Sequence, residues 1–297
     1  MAKPLTVLLA IDGSPQAEVA SRLVGSLRLP EGAVVEILRA DEPFGSDAEL
    51  PPTAYDALRA AIREEIDKDV AAAKRAVSAP GREIRVAVPF ARAATAIVDE
   101  SRRIAADLVV VGSRGRGQLA TMVLGSVAAE VIDHAPCPVL VARSAKLRRL
   151  VLADDGSLEA TTARDLVASW PLFAGLDARV VSVAPIPVQI GVGPVRHADA
   201  SQAYAEAVDA LRALYQKVAS TDALRLTEAG LRARAEVRCG DPAQEIMDAS
   251  VEDEADLIVV GSHGRTGLER LLIGSVARKV VTHAPCSVLV VRRVMAR

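Results

Sequence analysis

The chain repeats itself at a long period. Ala106–Arg143 aligns without a gap with Ala255–Arg292, and 23 of the 38 paired residues are identical. The run VLLAIDGS at Val7–Ser14 is matched by LVLADDGS at Leu150–Ser157. A period of about 150 residues is far longer than the unit of a solenoid, so each copy is a whole domain. We therefore predict two tandem domains, residues 1–144 and 148–297.

Short aliphatic runs alternate with segments of helical apolar spacing in both copies. The strands predicted in the first copy are Leu5–Ile11, Ala33–Ala40, Glu83–Val88, Leu108–Val111 and Val139–Val141, and the helices are Gln16–Leu27, Ala54–Val77, Thr95–Ala105 and Ser126–Asp133. The strands predicted in the second copy are Leu150–Ala153, Ala178–Val183, Ala233–Val237, Leu257–Val260 and Val288–Val291. This alternation predicts an α/β fold with an open parallel sheet and helices on both faces.

Three local patterns refine this interpretation. Ser14 before Pro15 is typical of a helix start, with the serine as cap. The Pro- and Gly-rich segment Pro185–Asp199 predicts a loop over the sheet edge. The charged stretch Arg59–Lys74 predicts a solvated helix face, and the single Trp170 is expected to pack.

A glycine pattern follows the fourth strand of each copy. Gly112 and Gly115 are followed, after nine residues, by Gly125-Ser126 at the start of a helix, and the second copy repeats this spacing. Glycine lets the backbone approach a ligand closely, and a helix N-terminus offers free N–H groups and a favourable dipole to an anion. The carboxyl ends of parallel strands share one rim, so Asp12 is expected to face the same ligand.

The pattern differs from two common nucleotide loops. No Gly-Lys-Ser/Thr follows, so it is not a Walker A loop, and no GxGxxG follows the first strand, so a dinucleotide fingerprint is not supported. The spacing resembles that of the universal stress protein family, in its ATP-binding branch. The likeness covers the whole chain and includes Asp-Gly-Ser after each first strand and Ala-Pro-Cys before each last strand.

The resemblance implies a Rossmann-like, five-stranded parallel sheet of order 3-2-1-4-5 in each domain, one ATP per domain, and pairing of the domains through their last strands. Carried over by position, the nucleotide-binding residues of the first copy are Asp12, Ala40, Gly112, Arg114, Gly115, Arg116, Gly125, Ser126 and Val127. Those of the second copy are Asp155, Val183, Gly261, His263, Gly264, Arg265, Gly274, Ser275 and Val276. No catalytic residue and no metal-ligand cluster is predicted; Mg²⁺ is expected to accompany the triphosphate.

The two copies differ at the predicted site. His263 stands where the first copy has Arg114, so the sites are expected to respond differently to pH. The second copy has Gly240–Ala243 (GDPA) after its third strand, a pattern common in the family, whereas the first copy has Ala91–Ala94 (ARAA). The two sites are therefore not expected to be equal in affinity.

Composition excludes several classes of protein. The 36 basic and 38 acidic residues are nearly balanced, which argues against nucleic acid as a partner. Three cysteines (Cys137, Cys239 and Cys286) are not a disulfide framework, and each His-x-x-Cys pair supplies too few ligands for structural zinc. The sequence shows neither a signal peptide nor a membrane span, so a cytoplasmic location is expected.

Three functions remain open at this point. The first is an ATP-binding stress-response protein that acts as a sensor or switch upon an unknown protein partner. The second is an enzyme that slowly hydrolyses ATP or transfers adenylyl groups, although the chain lacks SGGxDS and HxGH motifs. The third is a nucleotide-free scaffold. The fused pair is expected to form an internal pseudo-dimer, with further homodimerisation left open.

Overall fold

The computed structural model describes residues 4–42, 51–115, 124–185, 198–264 and 272–292. Within them the strands are β1 Thr6–Ile11, β2 Val34–Arg39, β3 Glu83–Ala87, β4 Leu108–Gly112, β5 Val139–Ala142, β6 Arg149–Ala153, β7 Asp177–Ala184, β8 Arg232–Cys239, β9 Leu257–Gly261 and β10 Ser287–Val291. The helices are α1 Pro15–Ser26, α2 Pro52–Val77, α3 Ala93–Arg103, α4 Ser126–His134, α5 Leu158–Ser169, α6 Ala198–Glu228, α7 Pro242–Glu252 and α8 Ser275–His283.

The described strands form one sheet in the order β3-β2-β1-β4-β5-β10-β9-β6-β7-β8. Each half is a parallel sheet of order 3-2-1-4-5, as expected. The halves meet where β5 and β10 pair antiparallel, with Val141 opposite Val288 and Leu140 opposite Leu289. The α/β fold class, the strand order and the pairing of the last strands are confirmed.

The core is continuous across this seam. Helices cover both faces of the sheet, which is why the central strands are unbroken runs of Val, Leu and Ile. On one face Val141 and Val288 belong to a single buried cluster. On the other face Leu140 and Leu289 belong to a second one. Neither half therefore completes its own apolar core at β5 or β10.

Two arginines reach across the seam in a pseudo-symmetric pair. Arg143 Nη2 donates to the carbonyl of Val281 in α8 at 2.6 Å, and Arg292 Nη2 donates to the carbonyl of Ile132 in α4 at 2.8 Å. Both carbonyls lie in the last turn of their helix, where no intrahelical donor remains. Each half thus completes the hydrogen bonding of a helix end in the other half.

The local predictions are mostly confirmed. Ser14 caps α1, because its Oγ accepts from Ala17 N at 3.2 Å. Trp170 packs against Phe173 with 6.3 Å between ring centroids. The predicted loop Pro185–Asp199 was too long, since α6 already begins at Ala198; residues 186–197 lie outside the described part. No helix in the described ranges is both long and apolar enough to cross a membrane.

Truncation at the seam is expected to destabilise the whole chain at once. Leu140 is 5% exposed, so Leu140→Ala should cost about 3 kcal/mol of unfolding free energy. Denaturant unfolding should show one shifted transition, both by Trp170 fluorescence, which reports on the seam where Trp170 and Leu140 line one small cavity, and by far-UV circular dichroism, which reports on both halves. Leu158→Ala, at a leucine that is 54% exposed, is the control and should shift it little. Two separated transitions would contradict a shared core.

Candidate functional site

The turn after β1 is built by local hydrogen bonds. Ser14 N donates to Asp12 Oδ1 at 3.0 Å, and Gly13 takes a positive φ of 76° that favours glycine. Ser14 Oγ also donates to the carbonyl of Arg114 at 3.4 Å. The turn therefore holds the Asp12 carboxylate at the carboxyl end of β1, against the loop that follows β4.

The glycines of that loop are required by close contact. A Cβ atom on Gly115 would lie 2.8 Å from Asp12 Oδ2, and one on Gly112 would lie 3.0 Å from the main chain of Gln16 in α1. A Cβ on Gly125 would lie 3.2 Å from the Cα of Arg114, and Gly125 N donates to Ser113 O at 2.9 Å. A side chain at any of these positions would therefore crowd the loop where it folds back on the Asp12 turn.

Helix α4 starts differently from the helices that follow β1, β6 and β8. Those three are capped by the side chains of Ser14, Ser157 and Asp241. Helix α4 has Gly125 at its N-cap in an extended conformation, with no side-chain hydrogen bond. Within the described residues no side chain caps its first N–H groups, and the helix dipole favours an anion at this position.

A cavity of about 530 Å³ lies in front of this helix end. Its volume is within the range of small-ligand sites. The predicted residues that line it are Asp12, Ala40, Gly112, Arg114, Gly115, Gly125, Ser126 and Val127. The cavity thus brings together every predicted first-copy residue except Arg116, which lies outside the described part of the chain.

Helix α2 supplies a wall that sequence reasoning missed. Ile62, Glu65 and Ile66 line the cavity, together with Leu38 and Asp41 at the end of β2. The spacing of Ile62 and Ile66 marks an apolar stripe on a helix whose charged residues are otherwise mostly exposed. The stripe was a detectable signal, but which of its residues would face a ligand depends on how α2 packs.

The second half repeats the construction. Ser157 N donates to Asp155 Oδ1 at 2.9 Å, and a Cβ on Gly264 would lie 2.7 Å from Asp155 Oδ2. Gly274 N donates to Ser262 O at 2.7 Å, and α8 begins after Gly274 without a side-chain cap. Gly261 packs on α5 as Gly112 packs on α1, while Ser275 and Val276 open α8 and Val183 lies in β7.

His263 gives the second loop its own chemistry. Its Nδ1 lies 3.1 Å from Ser262 Oγ, and its Nε2 is buried without a hydrogen-bond partner among the described residues. An imidazole nitrogen in this position has hydrogen-bonding capacity for a ligand, whereas Arg114 in the first loop carries a fixed charge. Arg265, the other charged residue predicted here, lies outside the described ranges.

The loops after β3 and β8 also differ as expected. Asp241 caps α7, because its Oδ1 accepts from Gln244 N at 2.9 Å, and Gly240 has a φ of +148°. In the first half Arg92 does not cap α3 with its side chain, and Glu42 Oε1 accepts from Ala93 N at 2.8 Å instead. Glu42 follows β2, so a distant loop beside the cavity replaces the local cap.

A buried acidic pair distinguishes the second half further. Asp154, at the position of Ile11 in the first copy, is 3% exposed, and Asp222 of α6 is 4% exposed. Gly156 N donates to Asp154 Oδ1 at 2.8 Å, and Arg164 Nη1 donates to Asp222 Oδ1 at 2.7 Å. Asp154 Oδ2 has no donor among the described residues, and the carboxyl group of Asp222 lies next to it. Burial, followed by this contact, raises the pKa of Asp154 to about 7.

This pair predicts a pH dependence of stability. Folding raises the pKa of Asp154 from 3.8 to about 7. The contribution of protonated Asp154 to stability is therefore complete below about pH 4 and is lost as the pH rises through 7. Asp154→Asn stays neutral and keeps an acceptor for Gly156 N. As the pH rises from 5 to 8, the free energy of unfolding of the variant should therefore increase relative to that of the wild type, by on the order of 2 kcal/mol. Thermal unfolding at each pH measures this difference.

The control for this experiment is Asp67→Asn, at an exposed position of α2. It should leave the pH profile of the melting temperature unchanged. A profile for Asp154→Asn that runs parallel to that of the wild type from pH 5 to pH 8 would show that Asp154 is ionised throughout.

The fold and the site together define a class: two parallel α/β units, each with a glycine-rich loop after its fourth strand, joined through their last strands. The model of the universal stress protein family matches residues 5–143 and again residues 146–292. The chain therefore belongs to the universal stress protein family.

Known relatives share the tandem length. The chain is 29% identical to universal stress protein Rv2005c of Mycobacterium tuberculosis, over 97% of both chains. It is also 29% identical to universal stress protein Rv2623 of that organism, over 97% of this chain and 96% of the relative. A universal stress protein from Thermus aquaticus is 35% identical over 46% of this chain and 98% of its own length.

Solved structures agree on the fold. A universal stress protein from Archaeoglobus fulgidus superposes with a TM-score of 0.64 at 20% identity, over 97% of this chain and 98% of the other. The functionally unknown protein PA1789 from Pseudomonas aeruginosa superposes with a TM-score of 0.62 at 17% identity, over 97% and 92%.

Proposed function

We propose that each half binds ATP with Mg²⁺ and that the chain acts as a nucleotide-dependent sensor or switch in a stress response. One observation carries this proposal. An uncapped helix N-terminus, a glycine loop and the Asp12 carboxylate converge on one cavity of about 530 Å³. That arrangement suits a ligand with an anionic end and an apolar end.

The cavity walls suggest how the nucleotide lies. The triphosphate fits the end formed by Gly112, Gly115, Gly125 and Ser126, where the N-terminus of α4 borders the cavity and a Cβ would crowd the loop. The base fits the opposite end, where Ile62 and Ile66 supply apolar surface. Asp12, just after β1, would contact the ribose or adenine region. Mg²⁺ would arrive with the nucleotide, held by phosphate oxygens and water, and would neutralise part of the phosphate charge.

Two other functions remain as outcomes of the same experiments. An enzyme that hydrolyses ATP or transfers its adenylyl group would convert the bound nucleotide to ADP or AMP. A scaffold would bind no nucleotide in either half. The helix starts favour ligand binding, since a scaffold does not require both α4 and α8 to begin without a side-chain cap.

A carboxylate at the helix N-terminus should block the phosphate. Ser126 is exposed at the first position of α4, and Ser275 holds the same place in α8. Ser126→Asp should stabilise the nucleotide-free protein by about 0.3–1 kcal/mol through the helix dipole, yet repel the triphosphate. Calorimetric titration with Mg-ATP should show two sites in the wild type, one in either single variant and none in the double variant.

The controls are Ser126→Ala and Ser275→Ala, which change the side chain without adding charge and should retain both sites. Thermal unfolding of every variant verifies the fold. Wild-type affinity and stoichiometry in the double Asp variant would place the phosphates elsewhere and refute this site.

A further inference from the structure

One carboxylate of the first half accepts hydrogen bonds from the start of α8 and the residue that leads into it in the second half. Asp133 lies in the last turn of α4, and its Oδ1 accepts from Ile273 N at 3.3 Å and from Arg278 Nη2 at 2.9 Å. The Asp133 side chain is 14% exposed, and that of Arg278 is 44% exposed. The contact joins residues 140 and 145 positions apart in the chain.

The place of Ile273 makes this contact relevant to binding. Ile273 directly precedes Gly274, whose N–H donates to Ser262 O in the other arm of the loop. Helix α8 begins one residue later, and Arg278 lies at its fourth position. Asp133 therefore fixes the start of the very helix whose free N–H groups face the proposed phosphate.

The pseudo-symmetric contact is not made. At a spacing of 149 residues, Asp133 corresponds to Thr282 and Arg278 corresponds to Ala129. Thr282 Oγ1 donates to the carbonyl of Arg278 within its own helix, at 2.7 Å. Alanine offers no charged partner. Within the described ranges, this link therefore runs only from the first half to the loop of the second.

Helix α4 runs directly from the first cavity to Asp133. Its N-terminus at Ser126 lines the first cavity, and Asp133 lies seven residues further along, about 10 Å at 1.5 Å per residue. The helix that borders the first cavity therefore also carries the group that anchors the second loop.

We propose that Asp133 is a positioning residue, through which the first half sets the nucleotide affinity of the second site. The effect on nucleotide affinity rests on the proposed function, whereas the anchoring of the loop does not. The anchor preorganises Ile273, Gly274 and the first turn of α8, so less ordering is required when an anion binds. By linkage, a nucleotide in the second site reciprocally favours the state of the first half that holds the anchor.

The anchoring is tested without any nucleotide. Hydrogen exchange of the peptide that contains Ile273 and Gly274 should speed up about tenfold in Asp133→Ala. Asp133→Asn keeps an acceptor for Ile273 N but loses the charge, so it should exchange at an intermediate rate. Thr282→Ala is the matched control and should leave exchange at Leu124 and Gly125 unchanged. Wild-type exchange rates in Asp133→Ala would overturn the proposal.

Site-selective affinity is the second readout. In the Ser126→Asp background, where only the second site is left, Asp133→Ala should weaken Mg-ATP binding about tenfold. In the Ser275→Asp background the same change should leave the affinity of the first site within twofold, and equal weakening in both would overturn a selective role. If neither background binds nucleotide, the proposed function fails and the claim on affinity fails with it, while the exchange data still decide the anchoring.

A transplant of the link tests sufficiency. Thr282→Asp combined with Ala129→Arg places the same pair of residues opposite the first loop. This double variant should slow hydrogen exchange at Leu124 and Gly125 and tighten the first site. Exchange equal to that of the wild type in a folded double variant would show that the two side chains alone do not make the anchor.

Discussion

The antiparallel pairing of β5 with β10 is the interaction on which the rest of the structure depends. It removes the edge strand that each half would otherwise expose and extends two parallel sheets into one. Because the halves run in opposite directions across this seam, the carboxyl ends of their strands lie on opposite rims. The two proposed sites therefore lie on opposite rims of the sheet, and the C-terminus of α4 meets the N-terminus of α8.

That geometry gives the internal pseudo-symmetry a chemical role. Arg143 and Arg292 exchange equivalent bonds across the seam, which shows how closely the duplicated halves still correspond. Against this background the unequal positions are informative. Three aligned positions change charge or polarity near one site and not the other. In the first and second copies respectively they are Asp133 and Thr282, Ile11 and Asp154, and Arg114 and His263. Duplication supplied two loops of one design, and these substitutions make them unequal.

Much of this could be predicted from the sequence, for physical reasons. Strands buried on both faces read as aliphatic runs, and glycines forced by contacts under about 3.4 Å recur at fixed spacing, so the fold and the loops were detectable. The α2 wall of the cavity and the Asp133 anchor were not, since they depend on helix packing and on contacts between residues about 140 positions apart. Asp154 was not singled out, because sequence alone does not reveal that its carboxylate is buried beside Asp222.

The central claim is that both halves bind ATP through an uncapped helix and a glycine loop. The most direct test is to denature the purified chain by heat, without added nucleotide, and to identify and count the released small molecules by mass spectrometry. The account predicts ATP at about two molecules per chain, or one if the two loops differ strongly in affinity. ADP or AMP in its place would favour an enzyme. The absence of any nucleotide, together with no binding of added Mg-ATP, would contradict the account and leave the scaffold.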